Sequence, residues 1–300
     1  MRPGIKVAVG VMTLFVAARA LAQDVYVTLC RTHFTVTNPQ GEFVTDLGAN
    51  DVTVFDNDVP QKIADFSRHV QSPVSVAVLI DRSQSVSDRF PFLSAAAGSF
   101  ERSVIHDSDD RGMVVAFDSK VYLLQDWTAD PVRLADSVRR LTAAGGTSIF
   151  DALFKTCRDK FEISDTRQNV VVLITDGEDT TSLATFDQAL QMATMSRVAV
   201  YVIGIRAEHS LNTRELQGRR VLTRLTELTG GRVFYPSETR QEELGVLFGK
   251  VQQELRSAYG ITYYLDAAPD NSFHRVRVEA KNKALTVHAP TGYFARPPPR

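Results

Sequence analysis

The chain has 300 residues, with 34 Lys and Arg against 35 Asp and Glu, 44% apolar residues and two cysteines. That is enough for one large domain or two smaller ones with a full core. The near-neutral balance excludes a general attraction to nucleic acid, and two cysteines without CxxC spacing suggest neither a zinc site nor a redox motif.

Residues 1–22 are expected to be a cleaved export signal. Arg2 and Lys6 form a basic start, Val7–Ala18 is a short apolar run, and Ala20-Leu21-Ala22 is a small-residue cleavage pattern. The run is too short to span a bilayer comfortably, and nothing later is apolar for long enough to cross one. Without Arg2, Lys6 and Arg19, 31 basic residues face 35 acidic ones, a balance of −4. The expected location is secreted or periplasmic. Leu29 before Cys30 does not suit lipid attachment, and Cys157 lies on an apolar helix face, as a buried free thiol would. A Cys30–Cys157 disulfide is the less favoured alternative.

Residues 23–71 read as β structure: Val25/Val27/Leu29 alternate, Asn38-Pro39-Gln40-Gly41 turns, Val52/Val54 alternate, Asp56-Asn57-Asp58 turns and Ile63–Phe66 closes the block. From Pro73 strands alternate with helices, which implies a parallel sheet with crossover helices. Val76–Ile80 is a continuous apolar strand. Helical spacing follows over 89–105, then Gly112–Phe117 and Val121–Gln125 flank the Asp118-Ser119 hairpin signal of an antiparallel edge strand. Helices are expected at 131–141 and 149–162, a second apolar strand at Val170–Thr175, a helix near 183–195, a strand at Val198–Gly204 and a helix near 214–229 stopped by Gly230-Gly231. Val233–Tyr235 and an amphipathic helix through Leu244, Leu247, Val251 and Leu255 complete the block. Alternation returns at Ile261/Tyr263/Leu265, Val276/Val278 and Leu285/Val287, with a turn at Pro269-Asp270-Asn271-Ser272. The expected fold is therefore α/β, a doubly wound, mostly parallel sheet over 73–256 with one antiparallel edge. Residues 23–71 and 257–296 are expected to pair as a small β-sandwich around it, and 297–300 to be a disordered tail.

Chemistry gathers where strands end. Asp81 closes the first apolar strand, and Ser83 and Ser85 follow at alternate positions. Such hard oxygen donors suit a small divalent cation such as Mg²⁺, although Asp and Ser also serve as ordinary loop and helix-cap residues. Asp176 closes the second apolar strand, and Gly145-Gly146-Thr147-Ser148 presents a further hydroxyl before a helix. In open α/β sheets ligands bind outside the carboxyl ends of the strands, so three segments converge on one edge.

The set Asp81-x-Ser83-x-Ser85, Thr147 and Asp176-Gly177 resembles the metal-ion-dependent adhesion site of von Willebrand factor type A domains, over about residues 73–256. The blocks VYVTLC, PQKIADF, FHRVRVEAKNKALTV and TGYFA resemble a bacterial family of secreted, type-A-related proteins. The resemblance implies a Rossmann-like fold and Mg²⁺ or Mn²⁺ held by Asp81, Ser83, Ser85, Thr147 and Asp176. The serines would bind directly, Thr147 directly or through water, and the aspartates partly through water. One position would stay open for a Glu or Asp of a partner protein. Gln84 departs from the frequent Gly of the family, and its larger side chain would narrow access to the cation.

A non-enzymatic binding module is thus expected. The alternatives are a metal-dependent hydrolase using Glu178, Asp179 or His209 as base, and a scaffold with a purely structural metal. No HExxH, GxSxG or phosphate loop supports the hydrolase. Otherwise Glu178 and Asp179 read as groups behind the ligands or facing solvent. Arg206, His209, Arg214, Arg219 and Arg220 form either a basic rim favouring an acidic partner segment or a solvated charged loop. His33, His69, His106, His274 and His288 are scattered and read as structural. Oligomeric state is not encoded in any motif.

Overall fold

The computed structural model describes residues 28–68, 73–84, 86, 105, 109–139, 141–162, 167–205, 213–235, 241–265 and 272–295. The export signal, most of the helix expected over 89–105, the tail, and Ser85, His69, His106, Arg206 and His209 lie outside the described residues.

Four strands come first: β1 (Thr28–Thr37), β2 (Val52–Asp56), β3 (Val59–Gln61) and β4 (Ile63–Arg68). Then β5 (Val74–Asp81), β6 (Arg111–Phe117), β7 (Val121–Thr128), β8 (Gln168–Thr175), β9 (Val198–Gly204) and β10 (Val233–Phe234) form a six-stranded sheet, in the order β10-β9-β8-β5-β6-β7. Pairing within it is parallel except at the β6–β7 edge. Every residue of β5 and β8 is buried, because side chains on both faces are covered.

Among the described residues five α-helices supply that cover: α1 (Pro131–Val138), α2 (Ile149–Lys160), α3 (Phe186–Met195), α4 (Thr213–Thr229) and α5 (Gln241–Arg256). Val76, Val78 and Ile80 share a buried cluster with Leu134 of α1 and Leu247, Val251 and Leu255 of α5. Ala77 and Leu79, pointing the other way, share one with Leu153, Ala189 and Leu222 of α2, α3 and α4. The helix starts have local causes. Asp130 accepts from the backbone N–H of Val132 and Arg133 ahead of Pro131, and Thr185 forms a capping box with Gln188.

The last strands are β11 (Tyr259–Leu265), β12 (Phe273–Ala280), β13 (Thr286–His288) and β14 (Gly292–Phe294). They join the first four in two antiparallel sheets, β13-β1-β11-β4 and β14-β12-β2-β3. Across all three sheets antiparallel pairings outnumber parallel ones, which are confined to the central sheet. Phe34, Val36, Val54, Tyr259, Ile261 and Val278 contribute from both antiparallel sheets to one apolar cluster. Within that layer Asp56 of β2 accepts from Tyr263 Oη and Tyr293 Oη at 2.8 Å each and lies 2.7 Å from His274 Nδ1. The sequence suggests the turn after β2, where Asn57 and Asp58 have φ of 47° and 64° as a two-residue hairpin needs. It does not suggest β3 or β14, which are too short to alternate visibly.

Neither cysteine is in a disulfide and both are buried: Cys30 on β1, its Sγ 2.9 Å from Tyr293 Oη, and Cys157 on α2. Glu254 of α5 ties the two regions together. It pairs with Arg232 at 2.8 Å and accepts from Thr35 Oγ1 of β1 at 3.2 Å.

Candidate metal centre

Strand register brings the two expected aspartates together. β5 and β8 are neighbours with Ile80 opposite Ile174, so Asp81 and Thr175-Asp176 leave the sheet side by side. Asp81 is fully buried. Its Oδ1 accepts from the Ser83 N–H at 2.8 Å and its Oδ2 from Thr175 Oγ1 at 2.7 Å. Burial pushes its carboxyl up to about 6; hydrogen bonds from Ser83 and Thr175 pull it down, and the neighbouring Asp176 charge pushes it up.

The turn after Asp81 is pinned from two sides. The Arg82 N–H donates to Phe117 O of β6, and Gln84 N–H donates to Gly145 O. Arg82 points away from the centre, with Nε 3.3 Å from Asp118 Oδ2 and its guanidinium over the Tyr122 ring. Gln84 is exposed and does not line the cavity beside Ser83, so the anticipated narrowing does not arise there.

That cavity, about 240 Å³, is lined by Ser83, Gly145, Gly146, Thr147, Asp176, Glu178, Thr180 and Glu215. Three of the five expected ligands therefore share it, while Asp81 lies behind Ser83 and Ser85 is outside the described residues. The lining carries hydroxyl and carboxylate oxygens and no Lys or Arg, which suits a hard cation. Among the described residues no group of three His, Cys, Asp or Glu is arranged to hold a metal.

A hydrogen-bonded brace presents Thr147. Its backbone O accepts from Thr180 and Thr181 N–H at 2.8 and 3.1 Å, and its N–H donates to Thr180 Oγ1 at 3.0 Å. Asp179, considered from sequence as a general base, is committed elsewhere. Its Oδ2 accepts from the Phe150 N–H and from Ser182 Oγ, at 3.0 and 2.6 Å. Asp151 holds the same loop by accepting from Leu183 and Ala184 N–H. The Thr180-Thr181-Ser182 run is the signal that could have disclosed this brace.

Glu215 is the cavity residue that sequence reasoning missed. It is buried in the first turn of α4. Its placement follows from Gly218, where a Cβ would lie 2.1 Å from Gly177 O, so α4 packs directly on the Asp176-Gly177 turn. Gly177 itself has φ +104°, a conformation open to glycine. The basic rim needs correction. Arg214 and Arg220 are exposed, but Arg219 is buried with its guanidinium 3.7 Å from the Tyr235 ring centroid.

The chain thus has an α/β domain with oxygen donors from three segments at the carboxyl edge of its sheet, where open α/β sheets bind their ligands. Residues 76–178, about a third of the chain, match the family model of the von Willebrand factor type A domain. An uncharacterized protein of Synechocystis sp. is 28% identical over 154 residues, which are 49% of this chain and 35% of that protein. The chain thus matches about a third of the length of that relative. A solved von Willebrand factor type A structure from Catenulispora acidiphila has a TM-score of 0.52 at 16% identity, covering 92% of this chain and 64% of its own; it shares the fold. An aerotolerance-related membrane protein from Bacteroides fragilis has a TM-score of 0.48 at 17% identity, covering 61% of this chain and 98% of its own.

Proposed function

We propose that this protein is an exported binding module that holds a partner protein through a divalent cation, Mg²⁺ or Mn²⁺, at Asp81, Ser83, Ser85, Thr147 and Asp176. The observation that carries it is the meeting of Ser83, Thr147 and Asp176, from three separate segments, around one cavity lined with oxygen donors. Ser83 and Thr147 offer neutral oxygens to the cavity. Asp81, held by Thr175 and the Ser83 N–H, places a carboxylate behind them. A cation bound there would supply an electrophilic position for a Glu or Asp of the partner. Of the bases that a hydrolase would need, Asp179 is committed to the loop brace, which leaves Glu178 of the cavity lining as the group a catalytic reading would use. Export is supported by Arg2, Lys6 and the Ala20-Leu21-Ala22 pattern. Among the described residues no helix is long and apolar enough to cross a membrane.

The test titrates Mn²⁺ into the mature chain and into Asp81→Ala, followed by calorimetry, and then captures envelope proteins on the immobilised chain in Mg²⁺. Saturable Mn²⁺ binding lost in the variant, with capture released by chelator, is the expected outcome. Absence of Mn²⁺ binding by the wild type, or capture indifferent to chelator, would overturn it.

A further inference from the structure

At the opposite end of the central sheet lies a second, larger cavity of about 280 Å³. Its walls come from the starts of β8 and β9, the ends of α3 and α4, and strands β1, β4 and β11. Eight residues of β8 separate it from the candidate metal centre, about 25 Å at the rise of a strand. The two sites therefore face opposite directions.

Arg197 is the anomaly in this cleft. Among the described residues three non-glycines have left-handed backbone, and two of them, Asn57 and Asp58, make a hairpin turn that such residues tolerate. The third is Arg197, φ 53°, at the position just past the Ser196 cap of α3 where glycine is ordinarily favoured. A left-handed arginine is retained against a local penalty, and outliers of this kind cluster at ligand sites.

The electrostatics point the same way. Arg197 lies within electrostatic reach of Arg31 on β1, a like charge, and both line the cleft. Among the described residues neither guanidinium forms a salt bridge with a carboxylate. Protein surrounds Arg197 enough for burial to hold its guanidinium below the ordinary value, yet the side chain is exposed, as a cleft wall would make it. Beneath them, the buried amides of Gln168 and Asn169 line the cleft, and their Oε1 and Oδ1, acceptors without partners, call for a donor such as a hydroxyl on the same ligand. Asp65 of β4 is the acid of the lining.

We propose that this cleft binds a small organic anion whose phosphate or carboxylate is gripped by Arg31 and Arg197. Two like-charged guanidiniums without a carboxylate salt-bridge partner among the described residues are an arrangement that a bidentate anion relieves. The cavity size suits a metabolite rather than a polymer.

The test follows melting temperature and calorimetric binding on the full chain with inorganic phosphate and, separately, citrate, each against sodium chloride of equal ionic strength. Either anion is expected to raise the melting temperature beyond the chloride control; which one acts more strongly identifies the head group. Arg31→Gln and Arg197→Gly should each weaken that binding about tenfold. Without anion, Arg197→Gly should melt about 2–4 °C higher, because strain and repulsion are both removed. A response no larger than chloride, or one preserved in the double variant, overturns the proposal. So does an anion-free Arg197→Gly that melts lower, which would make Arg197 a packing residue.

Discussion

Asp81→Asn separates the candidate metal centre from mere packing. In the folded chain the Asp81 carboxyl is raised from 3.8 to about 6. An acid with a raised folded-state pKa binds more protons folded than unfolded, so stability falls as pH rises from about 4 through 6. Two units correspond to about 3 kcal/mol at pH 7.5, the penalty of keeping this carboxylate ionised and buried. Asparagine stands in for the protonated acid and retains an acceptor for the Ser83 N–H or Thr175 Oγ1. With chelator present, the variant should unfold at higher temperature than the wild type at pH 7.5, by about 6–12 °C, and the gap should close by pH 4. Millimolar Mg²⁺ should raise the wild type, because a cation compensates the buried charge, and leave the variant unmoved. Calorimetric scans at the two pH values, with and without Mg²⁺, read all four quantities. A variant destabilised equally at pH 4 and pH 7.5 in chelator would refute the reasoning, since Asp81 would then act through its hydrogen bonds alone.

Other expectations are independent of that one. Thr147→Ala should abolish Mg²⁺-dependent stabilisation while changing chelated stability by about 1 kcal/mol or less in denaturant titration. Gly218→Ala should cost about 1–3 kcal/mol and weaken Mn²⁺ binding in the same titration, because its Cβ would meet Gly177 O and lift α4 from the turn. Tyr263→Phe should cost about 1–2 kcal/mol in urea, removing one of the two phenols that serve Asp56 between the antiparallel sheets. His288, whose pKa burial and then Arg232 push down to about 4, works opposite to Asp81. Its contribution is present above pH 6.5 and lost as pH falls toward 4. His288→Asn should flatten that acid limb of the melting curve.

Much of the central fold was legible because burial on both faces leaves an unbroken apolar run. Val76–Ile80 and Val170–Thr175 are such runs, and each ends at an aspartate. Helix α3 announced itself by spacing, although its start at Phe186 is set by Thr185 and Gln188, later than apolar periodicity suggests. Short edge strands such as β14 were illegible because three residues pair through backbone groups that any side chain permits. In the sequence Arg219 looks like a surface charge, because nothing there reveals that Tyr235, sixteen positions later, covers it.

The sequence by itself determined which donors exist and on which loops they stand: the carboxylate and hydroxyls after β5, the hydroxyl of Thr147 and the carboxylate after β8. Those are local facts of composition and strand endings. Only the tertiary structure decided that β5 and β8 are neighbours, that α4 presses Glu215 into the same cavity through Gly218, and that Asp179 serves a loop instead. It also decided that Arg31 and Arg197 share a cleft, though 166 positions separate them in the chain. The physical reason is that register and close approach depend on contacts between distant segments, and no single segment carries that information.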